Sequence, residues 1–165
     1  MNILAARLPA SHWLDLCCGS GVMACEALRR GVEVVEAVEA DRRIAAVAAA
    51  NLKLVAEATP HLQHAEVHHR EVLAWLAMGL GARPRGFDLV YADPPYRAGL
   101  HRPIAEALWR GGWLAPDGLL IWECASDAIP AVPSPWRVWQ ERRYGGTTVV
   151  MLDVVTAAEI GRAHV

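Results

Sequence analysis

The chain has 165 residues, 54% of them hydrophobic, and a formal net charge of −2 at neutral pH. That length suits one domain, burying about two-thirds of its unfolded surface, and the apolar content excludes a disordered chain. The small net charge excludes a protein held to nucleic acid by bulk electrostatics alone. The longest apolar runs are far short of a membrane span. Met1-Asn2-Ile3-Leu4-Ala5-Ala6-Arg7 has neither the basic stretch nor the long apolar one of a signal peptide. The cysteines at 17, 18, 25 and 124 form no CxxC pair and no secreted-style framework. A reducing cytoplasm is the expected location, and a monomer the expected state.

Residues 3–8 read as the end of a helix, and His12 to Leu16 as a short strand running into Cys17-Cys18-Gly19-Ser20-Gly21. From Val22 to Arg30 the pattern is helical, with Ala24, Ala27 and Leu28 on one face and Gly31 as the stop. Val32 to Ala40 is a Val-rich strand interleaved with Glu. Asp41 starts a second helix, whose Ile44, Val47, Ala48, Asn51 and Val55 make one stripe, and Thr59-Pro60 breaks it. Glu66 to His69 is a third strand, and Val72 to Leu80 a helix carrying Leu73, Leu76 and Ala77 inward. A basic Gly/Pro-containing loop, Gly79 to Gly86, leads to strand four, Phe87 to Ala92.

Leu100 to Arg110 is helical and ends at Gly111-Gly112. Pro116-Asp117-Gly118 is a turn, and Leu119 to Cys124 a fifth, almost wholly apolar strand. After a three-proline loop, Ile129 to Pro135, come two strands, Trp136 to Tyr144 and Thr147 to Val155, joined by Gly145-Gly146 as a hairpin. Strands alternating with helices imply an α/β fold. Its sheet is mostly parallel, with helices on both faces and a C-terminal antiparallel hairpin. Residues 1–156 form the single domain, and 157–165 a tail.

The chemistry is expected at Asp93-Pro94-Pro95-Tyr96. Two prolines cannot continue a strand ladder, so the chain leaves the sheet at the carboxyl end of strand four, where open α/β sheets bind ligands. The first loop, Asp15 to Gly21, is not a Walker loop, and it lacks the third glycine of a dinucleotide fingerprint, because Ala24 occupies that place. Its strand–loop–helix setting and Glu39, 18 positions after Gly21, favour nucleoside binding, with Glu39 on the ribose hydroxyls. Asp41 competes for that role but suits a helix cap. Glu71 suits either an adenine-amine acceptor or a carboxylate at a helix N-terminus.

The histidines at 61, 64, 68 and 69 lack metal-ligand spacing, so no metal is expected. Cys17 and Cys18 read as small packing residues, not nucleophiles, and the tryptophans as core. Arginine pairs such as Arg142-Arg143 read as solvated. Arg97, His101 and Arg102 stand apart because they come directly after the tetrapeptide, and they are expected to contact substrate phosphates.

Asp15 to Gly21, Glu39, Glu71 and Asp93 to Tyr96 resemble, in order and spacing, the motifs of Rossmann-like S-adenosylmethionine-dependent methyltransferases. The tetrapeptide is similar to the Asp/Asn/Ser-Pro-Pro-aromatic signature of amino-group methyltransferases. Leu14-Asp15-Leu16 with Gly19-Ser20-Gly21, Glu26-Ala27-Leu28 with Arg30-Gly31, Val38-Glu39 with Asp41, Asn51-Leu52, and Arg143-Tyr144-Gly145 with Thr147 resemble the RsmD family over nearly the whole chain.

The resemblance implies S-adenosylmethionine as cofactor, held by Asp15, Cys17, Gly19, Ser20, Gly21, Glu39, Glu71 and Asp93. It implies catalysis by Asp93, Pro94, Pro95 and Tyr96, with Tyr96, Arg97, His101 and Arg102 on the substrate. That substrate would be the N2 amine of a guanine (guanine 966) in 16S rRNA of the small ribosomal subunit. The tetrapeptide alone leaves open adenine in DNA or RNA, or a protein glutamine, since each presents a planar NH2. A non-catalytic RNA- or cofactor-binding module is the alternative of another class.

Three features depart from the family pattern. Cys17-Cys18 replaces an aromatic or small residue and Ala. Glu71 stands where Asp is usual. Of the N-terminal segment that carries an Arg-Pro-Thr stretch, only Asn2-Ile3-Leu4 matches. The end, Glu159 to Val165, resembles the translation of a sequencing adapter, and no function is expected of it.

Overall fold

The computed structural model describes residues 2–162. A short 3-10 helix, Asn2–Arg7, precedes β1 (His12–Leu16), α1 (Val22–Arg29), β2 (Val34–Glu39) and α2 (Arg42–Glu57). Next come β3 (His64–His69), α3 (Val72–Leu76), β4 (Phe87–Ala92), α4 (His101–Arg110) and β5 (Leu114–Ala125). The chain closes with β6 (Trp136–Tyr144), β7 (Thr147–Val154) and α5 (Ala157–Arg162). The seven strands form one sheet in the order β3-β2-β1-β4-β5-β7-β6. The first five are parallel, and the β6–β7 hairpin adds two antiparallel strands at the β5 edge. The expected α/β architecture is therefore present, hairpin included.

One core joins α3 and α4 to one face of the sheet through Trp75, Leu76, Ile104 and Leu108. The other joins the N-terminal helix, α1 and α2 to the opposite face through Leu4, Leu28 and Leu52. The strand order reverses between β1 and β4, and a crevice opens at the carboxyl ends of strands at such a switch point.

Three local readings are corrected. In α2 the inward stripe is Ala45, Ala48 and Leu52, whereas Ile44 and Val47 are exposed. In α3 the helix ends at Leu76, Trp75 is buried, and Ala77 is its exposed C-cap. β5 begins at Leu114, and Pro116-Asp117-Gly118 forms an irregularity inside it where the register with β4 shifts. The tail is helical as far as Arg162, and Glu159 sits 3.0 Å from Arg137. Residues 163–165 of the adapter-like stretch lie outside the described residues.

Glu36, in the Val-rich second strand, is 4% exposed. The basic loop before β4 supplies its partner. Arg83 donates from Nε at 2.6 Å and from its terminal nitrogen at 2.7 Å, and His68 Nε2 lies 2.8 Å away. The guanidinium also sits 5.2 Å from the Trp75 ring and 5.1 Å from that of Trp113, within cation–π range of both rings, which stack on each other at 4.6 Å. Burial alone would raise the Glu36 pKa, but Arg83 and His68 outweigh it and bring it down to about 2.

Candidate active site

The cleft at the switch point has a volume of about 550 Å³ and is bounded by Cys17, Glu39, Glu71, Asp93 and Tyr96, with Leu100 opposite. A larger groove, about 620 Å³, lies elsewhere between Arg7, Trp109 and Trp139 and contains none of the motif residues. Chemistry rather than size therefore selects the site.

β1 ends at Leu16, and the chain turns sharply. Cys17 has φ of 59°, Gly19 56° and Gly21 82°. At Gly21 the positive φ is what calls for glycine, since a Cβ there would only reach van der Waals contact with the Ala48 Cβ at 3.4 Å. Above Gly19, by contrast, nothing lies within 4 Å of an added Cβ, so the backbone there is open to a ligand. Glu39, at the end of β2, closes the loop by accepting from the Gly19 amide at 2.9 Å and from the Asp41 amide at 3.2 Å. A carboxylate has about four lone-pair sites, so two remain for a diol. Asn51 Nδ2 holds the Ser20 carbonyl at 3.0 Å. Asp41 is the α2 cap, accepting from Arg43 and Ile44.

Asp15 lies under this loop, 1% exposed, with Oδ2 lacking a hydrogen-bond partner. Burial, then the charge of Asp93, pushes its pKa up to about 8, against the pull of the Ala24 amide. The Cys17 thiol is pushed up to about 12, by burial first and then by Glu39, Asp15, Asp93 and Glu71 together. Neither it nor Cys18, pushed up likewise, is a thiolate nucleophile. Several carboxyl groups thus converge on one cleft, a setting that favours a cationic ligand. The orphaned Asp15 oxygen and the open space over Gly19 fit a nucleoside bearing a positive charge.

Asp15 carries a testable consequence. Its folded carboxyl keeps its proton to about pH 8, while the unfolded one releases it near the ordinary value of 3.8. The folded state binds more protons across that window, so stability falls as pH rises through it. Asp93, raised to about 6, acts with the same sign at the lower end. Asp15→Asn should therefore flatten the fall in thermal stability between about pH 6 and 8. A slope identical to that of the unsubstituted chain would contradict the buried, protonated Asp15.

β4 delivers the tetrapeptide. The Asp93 amide donates to the Leu16 carbonyl at 3.3 Å, tying the two loops together, and Pro94 is buried. Tyr96 is 45% exposed at the mouth, with its hydroxyl 3.1 Å from Thr147 Oγ1 on the hairpin. Glu123, on β5, escaped the sequence reading. It lies one residue beyond the Ala92–Trp122 register pair, beside Asp93. Burial, then Glu123, raises the Asp93 pKa to about 6. The only sequence signal was a single acid ending an apolar run.

Cys17, Gly19, Glu39, Glu71 and Asp93 to Tyr96 therefore share the cleft, with Asp15 beneath and Ser20 and Gly21 in the loop. Glu71 is the N-cap of α3 and accepts from Leu73 at 3.0 Å and from Ala74 at 2.8 Å. Arg70 lines the cleft and was not anticipated. His101 is a correction. It is 3% exposed, its Nε2 meets the Glu123 carbonyl at 2.6 Å, and its ring stands edge-on to Trp122. It opens the stripe Ile104, Ala105, Leu108 that faces the sheet, so it cannot reach a phosphate. Arg102 is exposed and pairs with Glu106 at 2.9 Å, and Arg97 is exposed.

Three comparisons with known proteins place the chain as a whole. The family model described as Conserved hypothetical protein 95 matches residues 1–153. Ribosomal RNA small subunit methyltransferase D of Escherichia coli K12 is 30% identical over 145 residues, which cover 87% of this chain and 69% of that protein. The crystal structure of a putative methylase from Haemophilus influenzae is 26% identical, with a TM-score of 0.79 over 94% of this chain and 93% of that one. A match along residues 1–153 and a relative 30% identical over most of the chain place it plainly: the chain belongs to the RsmD family.

Proposed function

We propose that this chain transfers a methyl group from S-adenosylmethionine to the exocyclic N2 amine of a guanine in 16S rRNA of the small ribosomal subunit. The observation that carries the reading is the position of Asp93-Pro94-Pro95-Tyr96 in one cleft with the glycine loop and Glu39. When bound, the sulfonium supplies an activated methyl group and the thermodynamic drive.

The residues supply placement. Glu39 takes the ribose hydroxyls and the open backbone at Gly19 lies along the nucleoside. Asp15 lies beneath the loop, where a positive charge in the cleft favours its ionised form against the burial that holds its proton. Glu71 caps α3 with both oxygens and keeps lone pairs for the adenine amine. The amine of a purine is a weak nucleophile because its lone pair is delocalised into the ring. The Asp93 carboxylate and the Pro94 carbonyl each accept one of its N–H bonds, turning the lone pair toward the methyl group. The prolines fix φ, so both acceptors are held in place before reaction. Positioning then provides most of the rate. The proton becomes acidic only as the new bond forms, and Asp93 receives it. Tyr96 stacks on a base withdrawn from its neighbours, while Arg97 and Arg102 meet adjoining phosphates.

The choice of guanine, the 966 site and the small subunit rest on the resemblance to the family, not on the cleft itself. Among the described residues no helix is long and apolar enough to cross a membrane. The test is transfer of labelled methyl from S-adenosylmethionine to small subunits isolated without this modification. Label in the RNA of the subunit is the expected result, and label in ribosomal protein alone would overturn the reading.

A further inference from the structure

The last two strands end beside the tetrapeptide, and the register shows what they present there. Glu123 pairs with Val149, and Val149 with Arg142. Ala125 pairs with Thr147, and Thr147 with Tyr144. Directly paired residues share a face of a sheet. One row therefore runs from Asp93 through Glu123 and Val149 to Arg142, and the next ends on Tyr144 at the hairpin tip. Three strand spacings separate the ends of the first row, about 14 Å. The Tyr96–Thr147 hydrogen bond, 3.1 Å, ties the tip to the mouth of the cleft.

Arg142 is exposed and lies against the neutral amide of Gln140, whereas Arg137 on the same strand is paired with Asp153 and Glu159. Tyr144 is 62% exposed. Arg143 and Glu141 alternate to the other face, and Arg143 Nε donates to the Gly145 carbonyl in its own turn at 3.1 Å. A guanidinium with no carboxylate partner among the described residues, beside an exposed ring and along a line leading from the cleft, is the arrangement that holds single-stranded nucleic acid.

Resting on the RNA reading above, we infer that the β6–β7 tip holds the RNA strand next to the target base, with Arg142 on a phosphate and Tyr144 under a flanking base. The face of the sheet, not the summed charge of the tip, makes the contact. Arg142 and Arg143 are adjacent in sequence yet have unequal roles.

The test is the KM for undermethylated small subunits at saturating cofactor, with cofactor affinity measured by calorimetry as the check on folding. Arg142→Glu should raise KM about tenfold and lower the salt slope of kcat/KM by about one. Tyr144→Ala should raise KM about tenfold through lost stacking. Arg143→Glu carries the same charge change and should raise it less than about threefold. If charge reversal unfolds the chain, Arg142→Gln should still raise KM more than Arg143→Gln. Equal effects of the two arginine variants, or none from either, would overturn the inference while leaving the methyl-transfer reading intact. Absence of transfer by the unsubstituted enzyme would instead sink that reading, and this inference with it.

Discussion

Replacing Asp93 with alanine is expected to lower turnover by roughly 10²–10³-fold, as for loss of a preorganised polar group at the reacting centre, with cofactor affinity nearly unchanged. The backbone at this position is held independently of the side chain. The Asp93 amide is bound to the Leu16 carbonyl, and two prolines fix the turn after it. The Pro94 carbonyl therefore stays where it is, and only the carboxylate is lost. A pH profile separates this from a general loss of structure. Asp93 must be ionised to accept an N–H, and burial together with Glu123 places its pKa at about 6. Turnover should climb with pH through about 6 and then level off. Glu123→Gln removes one negative neighbour and should move that limb to lower pH. Asp15 also faces this region, and the buried Tyr91 hydroxyl stays protonated beside Glu123, so neither adds a second limb near 6. Full turnover in Asp93→Ala, or an unmoved limb in Glu123→Gln, would contradict the role given to the pair.

Arg83→Met is expected to be strongly destabilising although it lies far from the cleft. Methionine keeps apolar contact with Trp75 and Trp113 but takes the guanidinium from Glu36, whose side chain is 5% exposed and is left with His68 alone. Breaking a buried pair from one side costs about 3–5 kcal/mol. The lower end applies here, because the Arg83 side chain is 26% exposed. For a chain of this size about 3 kcal/mol lowers Tm by roughly 6–12 °C. Adding Glu36→Gln removes the stranded charge and should recover much of the loss. The pair also has an acid signature. Glu36 is depressed below its usual value, so its contribution is present above about 4.5 and is lost as pH falls toward about 2. A Tm change under about 2 °C in Arg83→Met would show that the pair carries little of the stability.

These residues also mark the limits of reading the chain as a string. β1, β4 and the hairpin were legible because each ends on residues that cannot continue a strand: the glycine loop, Pro94-Pro95 and Gly145-Gly146. The cleft was legible with them, since a parallel sheet gathers such endings at one edge. The buried face of α2 was not legible. Its sequence is so rich in Ala that several stripes offset by one residue are equally apolar. The choice falls to Ala45 and Ala48, because the helix approaches the glycine loop to 3.4 Å of where a Gly21 Cβ would lie. That close approach leaves the larger Ile44 and Val47 outside. His101 was misplaced for a related reason: a polar residue after a functional motif reads as functional, yet its position in α4 turns it to the sheet. Glu123, Arg83 and Arg142 needed the register or a loop path, which no local pattern encodes.

The proposed methyl transfer to the N2 amine of guanine is read directly from the modified nucleoside. Small subunits lacking this modification, incubated with the enzyme and S-adenosylmethionine carrying a labelled methyl group, would be digested to nucleosides and separated. The label should be found in N2-methylguanosine; label in N6-methyladenosine, or none in any nucleoside, would contradict the account.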